Sequence, residues 1–99
     1  MSTNQARMSR FDADLRKAFQ VEELNIEDES HLHAGHAGAA SGGGHFKVII
    51  TAPEFKGLNL VARHRAIYGA LASHFPADIH ALTIVALSPD EVGKSPALL

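Results

Sequence analysis

The 99-residue sequence contains no cysteine. That absence excludes a disulfide framework, a Cys nucleophile, a CxxC redox pair and any metal site made of thiolates alone. No apolar run approaches the roughly 20 residues that cross a bilayer. The polar start, Ser2-Thr3-Asn4-Gln5, lacks the apolar core of a signal peptide. These absences together lead to the expectation of a cytoplasmic protein with no membrane partner. A basic excess is missing as well. The formal net charge is −2, whereas non-specific DNA binders are usually basic because phosphate neutralisation supplies most of their affinity.

What is present points to one small folded unit. Ninety-nine residues suit a single domain, 1–99, with an ordered core expected over about residues 4–92. A 45% hydrophobic content argues against disorder. So short a chain supports one thin core and leaves little room for a deep substrate cleft. Charge is uneven along it. Arg7, Arg10, Arg16 and Lys17 make the first segment basic, the stretch from Glu22 to Glu29 is strongly acidic, and Lys47, Lys56, Arg63 and Arg65 restore positive charge. Seven histidines are the compositional oddity.

Met8, Phe11, Leu15, Ala18 and Phe19 recur at helical spacing, so residues 4–19 read as an amphipathic helix. Glu23 to Glu29 alternates polar and apolar residues, the period of a half-exposed strand with an acidic outer face. Residues 31–44 are Gly/His-rich without periodicity and read as a flexible loop. Phe46 to Ala52 is a β-branched, largely buried strand that Pro53 ends. Gly57 marks a turn, and Asn59 is a plausible N-cap for a helix running to about His74. Its expected apolar stripe is Leu60, His64, Ile67, Leu71 and Phe75. Ile79 to Leu87 reads as a third strand. Ser88-Pro89-Asp90-Glu91 has capping-box spacing and predicts a short last helix.

The order is α-β-β-α-β-(α), an α+β fold. A helix joins the second and third strands, so those two should lie parallel with a right-handed crossover. Parallel strands start at the same sheet edge, which brings His45 and His80 together. The loop carrying His31, His33 and His36 feeds into that edge. Neutral imidazole is a common ligand for Zn, Fe and Cu, so this edge is a candidate metal site. The bland alternative is a set of solvated loop histidines and a strand-end His80. A second constellation is Lys56, Arg63, His64 and Arg65. Arg63 and Arg65 cannot share a helix face, and the plain reading there is two solvated arginines around a partly buried, hydrogen-bonded His64. Gly35-His-Ala-Gly38 spells the G-x-x-G of nucleotide-clamping KH loops, which join two helices rather than two strands. No serine has a positioned base and acid, so an enzyme is not expected.

Phe55-x-Gly57 followed by Arg63-His64-Arg65 and then by Ile79-His80-Ala81-Leu82 resembles the signature of the BolA family. Asp28-Glu-Ser30 and Gly44-His45-Phe46-Lys-Val agree with it, and the likeness covers about residues 8–92. It implies a three-stranded mixed sheet with class II KH-like topology. It also implies pairing with a monothiol glutaredoxin across a glutathione-containing [2Fe–2S] cluster, in iron–sulfur trafficking or iron regulation. The implied ligands are His80 and a loop residue, His33 by spacing, with His36 and His45 as alternatives. A cluster commonly takes thiolates but accepts two histidines in Rieske-type centres. A cysteine-free chain can offer only the histidine half, so no cofactor is expected in the isolated protein. The family also implies an alternative, a DNA-binding regulator of stress response and cell shape, with Lys56, Arg63, His64 and Arg65 as partner- or DNA-binding residues. A homodimer is a further possibility.

Overall fold

The computed structural model describes residues 4–30 and 44–92. Helix α1 spans Asn4–Ala18 and buries Phe11 and Leu15, four residues apart on one face. Strand β1, Glu23–Asp28, turns Leu24 and Ile26 inward while Glu23, Asn25 and Glu27 face water. Strand β2, Gly44–Thr51, is central and buries Phe46, Val48 and Ile50 completely. It thus begins two residues before the sequence expectation, so Gly44 belongs to the sheet and not to the loop.

Gly44 has a packing reason. A Cβ there would lie 2.6 Å from the ring of Phe46, which is itself locked against Phe11 at a 5.1 Å ring separation. Pro53–Phe55 forms a 3-10 turn that buries Phe55 against Phe19. Gly57 follows with φ of 82°, a left-handed conformation that glycine adopts without steric cost. Asn59 then caps helix α2, Leu60–Ala70, its side chain accepting from Ala62 N at 2.8 Å. A 3-10 turn, Ala72–His74, separates the helix from the chain leading to β3, Ile79–Leu87. The expected last helix is only a 3-10 turn, Pro89–Glu91. Its S-x-x-E spacing is nonetheless realised, with Ser88 N donating to Glu91 Oε1 at 2.8 Å.

The sheet order is β1-β2-β3. β1 is antiparallel to β2, from Glu23 opposite Thr51 to Asp28 opposite Phe46. β2 is parallel to β3, from Gly44 opposite Ile79 to Thr51 opposite Leu87. The buried residues of both helices share one cluster with Phe46, Val48 and Ile50, so both helices cover the same sheet face. This is the α+β, three-stranded mixed architecture expected from the sequence.

α2 is rotated relative to the expected stripe. The buried line through α2 and the turn after it is Arg63, Ile67, Leu71 and His74, at spacings of four, four and three residues. Leu60 is 69% exposed, and His64 is only half-buried. The polar ends of the line are buried because each reaches an acidic partner on another element.

Candidate functional site

Gly44 opposite Ile79 and His45 opposite Ala81 confirm that β2 and β3 start at one edge. One step along β2 matches two along β3, so His80 is an extra residue at a bulge. Bulges re-aim side chains, and His80 is exposed. Its imidazole has no hydrogen-bond or ion-pair partner among the described residues. His45 differs. It is mostly buried, its Nε2 lies 3.9 Å from Glu29 Oε1, and its backbone N donates to Ser30 Oγ at 3.1 Å.

Glu29 N donates to His45 O at 2.8 Å. The strand ends at Ser30 and Gly44 are thereby held beside the start of β3. The loop between them therefore leaves and returns at the His80 edge. His31, His33 and His36 themselves lie outside the described residues, as does the loop over 31–43. Among the described residues, no group of three or more His, Asp or Glu side chains could hold a metal ion.

Lys56, Arg63, His64 and Arg65 differ in exposure. Lys56 follows β2 at the end opposite His80, about 20 Å away at ~3.3 Å per strand residue. Lys56 and Arg65 are exposed, and neither has an ion-pair partner among the described residues. Arg63 corrects the expectation of a solvated arginine: it is 7% exposed. Its Nη1 donates to Ala86 O and to Glu91 Oε1 at 2.9 and 2.6 Å, its Nη2 to Glu91 Oε2 at 3.0 Å and its Nε to Leu58 O at 2.9 Å. The guanidinium beside Glu91, with help from the Ser88 N–H, lowers that carboxyl to about 2. Arg63 is a staple joining α2, β3 and the last turn, and it is unavailable to phosphate or to a partner. His64 has no hydrogen bond among the described residues, contrary to expectation.

His74 went unnoticed in the sequence. Its Nε2 bonds Asp14 Oδ2 at 2.7 Å, its Nδ1 lies 3.8 Å from Asp78 Oδ2, and its ring packs edge-on against Phe11. Arg7 and Arg10 complete the cluster around Asp78. The available signal was its position seven residues after Ile67, continuing the buried line. With its polar atoms engaged inside the fold, His74 is structural.

A two-layer α+β fold with a parallel pair and a bulged histidine at its mouth defines the class. The model of the BolA-like protein family matches residues 15–91, and the chain belongs to that family. Protein BOLA1, chloroplastic, of Arabidopsis thaliana is 43% identical over 88 residues, 86% of this chain and 55% of that protein. The chain thus spans about half the length of that relative. The DNA-binding transcriptional regulator BolA of Haemophilus influenzae is 40% identical over 77 residues, covering 78% of this chain and 72% of the relative. Among solved structures, the BolA domain of SufE1 from Arabidopsis thaliana matches with a TM-score of 0.77 at 40% identity. That match covers 88% of this chain and 96% of the other. No helix among the described residues is long and apolar enough to cross a membrane.

Proposed function

We propose that this protein is a non-enzymatic cytoplasmic partner of a monothiol glutaredoxin. It contributes histidine ligands to a [2Fe–2S] cluster bridging the pair, in iron–sulfur trafficking or iron regulation. The observation that carries this reading is the exposed, unbonded imidazole of His80 on its bulge. A histidine already bonded inside the fold, such as His74, would have to break that bond to bind iron; His80 would not.

His80 is the first ligand and His33 the second, with His36 and His45 as rivals. The support for a loop ligand is connectivity, since Ser30 and Gly44 anchor the loop at the His80 edge. The glutaredoxin cysteine and glutathione supply the thiolates that this chain lacks. Bound in this way, the cluster is cargo whose stability is shared between two proteins. Lys56, His64 and Arg65 are left as a docking surface for the partner. Mixing the protein with a cluster-loaded monothiol glutaredoxin should give one-to-one co-elution and a changed visible circular dichroism spectrum. Separate elution with an unchanged spectrum contradicts the reading.

DNA binding is the second reading. It draws support from the exposed Lys56 and Arg65 and from the name of the Haemophilus relative. Replacing either residue by Ala should weaken DNA binding and flatten its salt dependence by about 0.9 in log–log slope per lost phosphate contact. An unchanged slope removes these residues from any DNA contact.

A further inference from the structure

Phe11 and Leu15 seat α1 on the sheet, and two polar side chains nearer its start reach across to the strand ends. Asn4 Nδ2 donates to Asp28 Oδ2 at 3.0 Å and to Ser30 Oγ at 3.3 Å. Nearly one turn on, Arg7 Nη1 donates to Asn4 Oδ1 at 3.0 Å, and Arg7 Nε donates to Asp78 Oδ1 at 3.0 Å. Positions three apart are neighbours on a helix surface, so the two residues form one strut. The Arg7 side chain is only 15% exposed, and water competes weakly for its bonds.

Each end of the strut meets a strand end at the His80 edge. Asp28 closes β1, its Oδ1 accepting from Ser30 N at 2.9 Å. Ser30 Oγ in turn accepts from His45 N on β2 at 3.1 Å. Asp78 stands immediately before β3 and two residues before His80, and its O accepts from Gly44 N at 3.1 Å. Ser30 and Gly44 flank positions 31–43. Asn4 and Arg7 therefore join the point where that segment leaves the sheet to the start of the strand that carries His80. Asp78 Oδ2 lies 3.8 Å from Arg10 Nη2, so Asp78 keeps a cation beside it when Arg7 is replaced.

We propose that Asn4 and Arg7 are positioning residues for the cluster site. Through Ser30 and Asp78 they fix the separation between His80 and the point from which a second histidine ligand is offered. The inference rests on the cluster-sharing reading above. Ligands carried on separate segments serve one metal centre only when outer partners hold those segments in place. Asn4 and Arg7 act through the strand ends and do not touch the cluster themselves. Both stand outside the hydrophobic cluster that packs the helices on the sheet, so changing them alters the site's geometry without emptying the core.

Asn4→Asp tests the proposal. It preserves size and the acceptor for Arg7, suits a helix N-terminus, and sets a carboxylate against Asp28 where an amide had donated. The variant should keep its native far-UV circular dichroism and its co-elution with a cluster-loaded monothiol glutaredoxin. It should change the visible circular dichroism bands of the shared cluster. The concentration needed for half the spectral change should rise roughly tenfold, as when a metal ligand loses an outer partner. Adding Asp28→Asn reverses donor and acceptor in the same bond and should restore the wild-type spectrum. A purely structural bond would shift the unfolding midpoint and leave the cluster spectrum of the folded complex alone. If Asn4→Asp loses its far-UV spectrum, Arg7→Met, which removes both bonds of the guanidinium, makes the same comparison. A folded variant that matches the wild type in band pattern and midpoint, or a double variant without rescue, overturns the positioning role alone. A wild type that leaves the cluster spectrum unchanged overturns the cluster reading and the positioning role with it.

Discussion

Replacing Arg63 by Ala should destabilise the fold by about 3 kcal/mol, a sum built from its contacts. The hydrogen bonds to Leu58 O and Ala86 O contribute roughly 1 kcal/mol each. The fork to Glu91 adds only about 1 kcal/mol, because the Glu91 side chain is 38% exposed and water partly replaces the arginine. Arg63→Lys should recover less than half, since an ammonium cannot reproduce the planar fork. Urea unfolding followed by far-UV circular dichroism measures both. pH supplies a second handle with a definite sign. Glu91 is lowered from 4.5 to about 2 in the folded state. Its contribution is therefore fully present above pH 4.5 and is lost as pH falls from there towards 2. The wild type should weaken through that window, and Arg63→Ala should lack this part of the loss. A variant within about 0.5 kcal/mol of wild type, as surface substitutions usually are, would refute the staple and return Arg63 to the surface.

His74→Ala should cost about 2–3 kcal/mol by leaving Asp14 without its partner and opening a void beside Phe11, read by the same unfolding curves; stability unchanged would show the bond to be incidental. Among the loop histidines, His33→Ala should weaken the shared cluster spectrum and His36→Ala should change it little. The double variant should behave like His80→Ala. Fixing His36 between Gly35 and Gly38 orders more backbone, at roughly 1–2 kcal/mol per residue, which is small against a metal–imidazole bond and lets His36 substitute when His33 is lost. Loss of the spectrum in His36→Ala alone, with His33→Ala intact, would reverse the assignment.

The residues whose local chemistry and burial agree were legible in advance. Leu24 and Ile26 alternate with acids and line the inner face of β1, and Asn59 precedes α2 and caps it. The helical crossover requires β2 and β3 to run parallel, which places His45 and His80 at one edge. The rotation of α2 was not legible, because hydropathy treats arginine and histidine as solvent residues. Arg63 and His74 are buried because Glu91 and Asp14, far away in sequence, bond them. Leu60 reads as core by composition, yet it lies in the exposed first turn. The bulge at His80 leaves no mark in a period-two pattern, since one inserted residue among apolar neighbours changes no composition. That bulge gives His80 its exposure.

Titrating His80→Ala into a cluster-loaded monothiol glutaredoxin while recording visible circular dichroism, with the wild type alongside, tests whether His80 is a cluster ligand. The wild type should change the cluster spectrum to a one-to-one end point. The variant should keep the native far-UV spectrum, because the side chain is exposed and unbonded among the described residues, and should leave the cluster spectrum unchanged. A folded His80→Ala that reproduces the wild-type spectral change would contradict the claim that His80 is a cluster ligand.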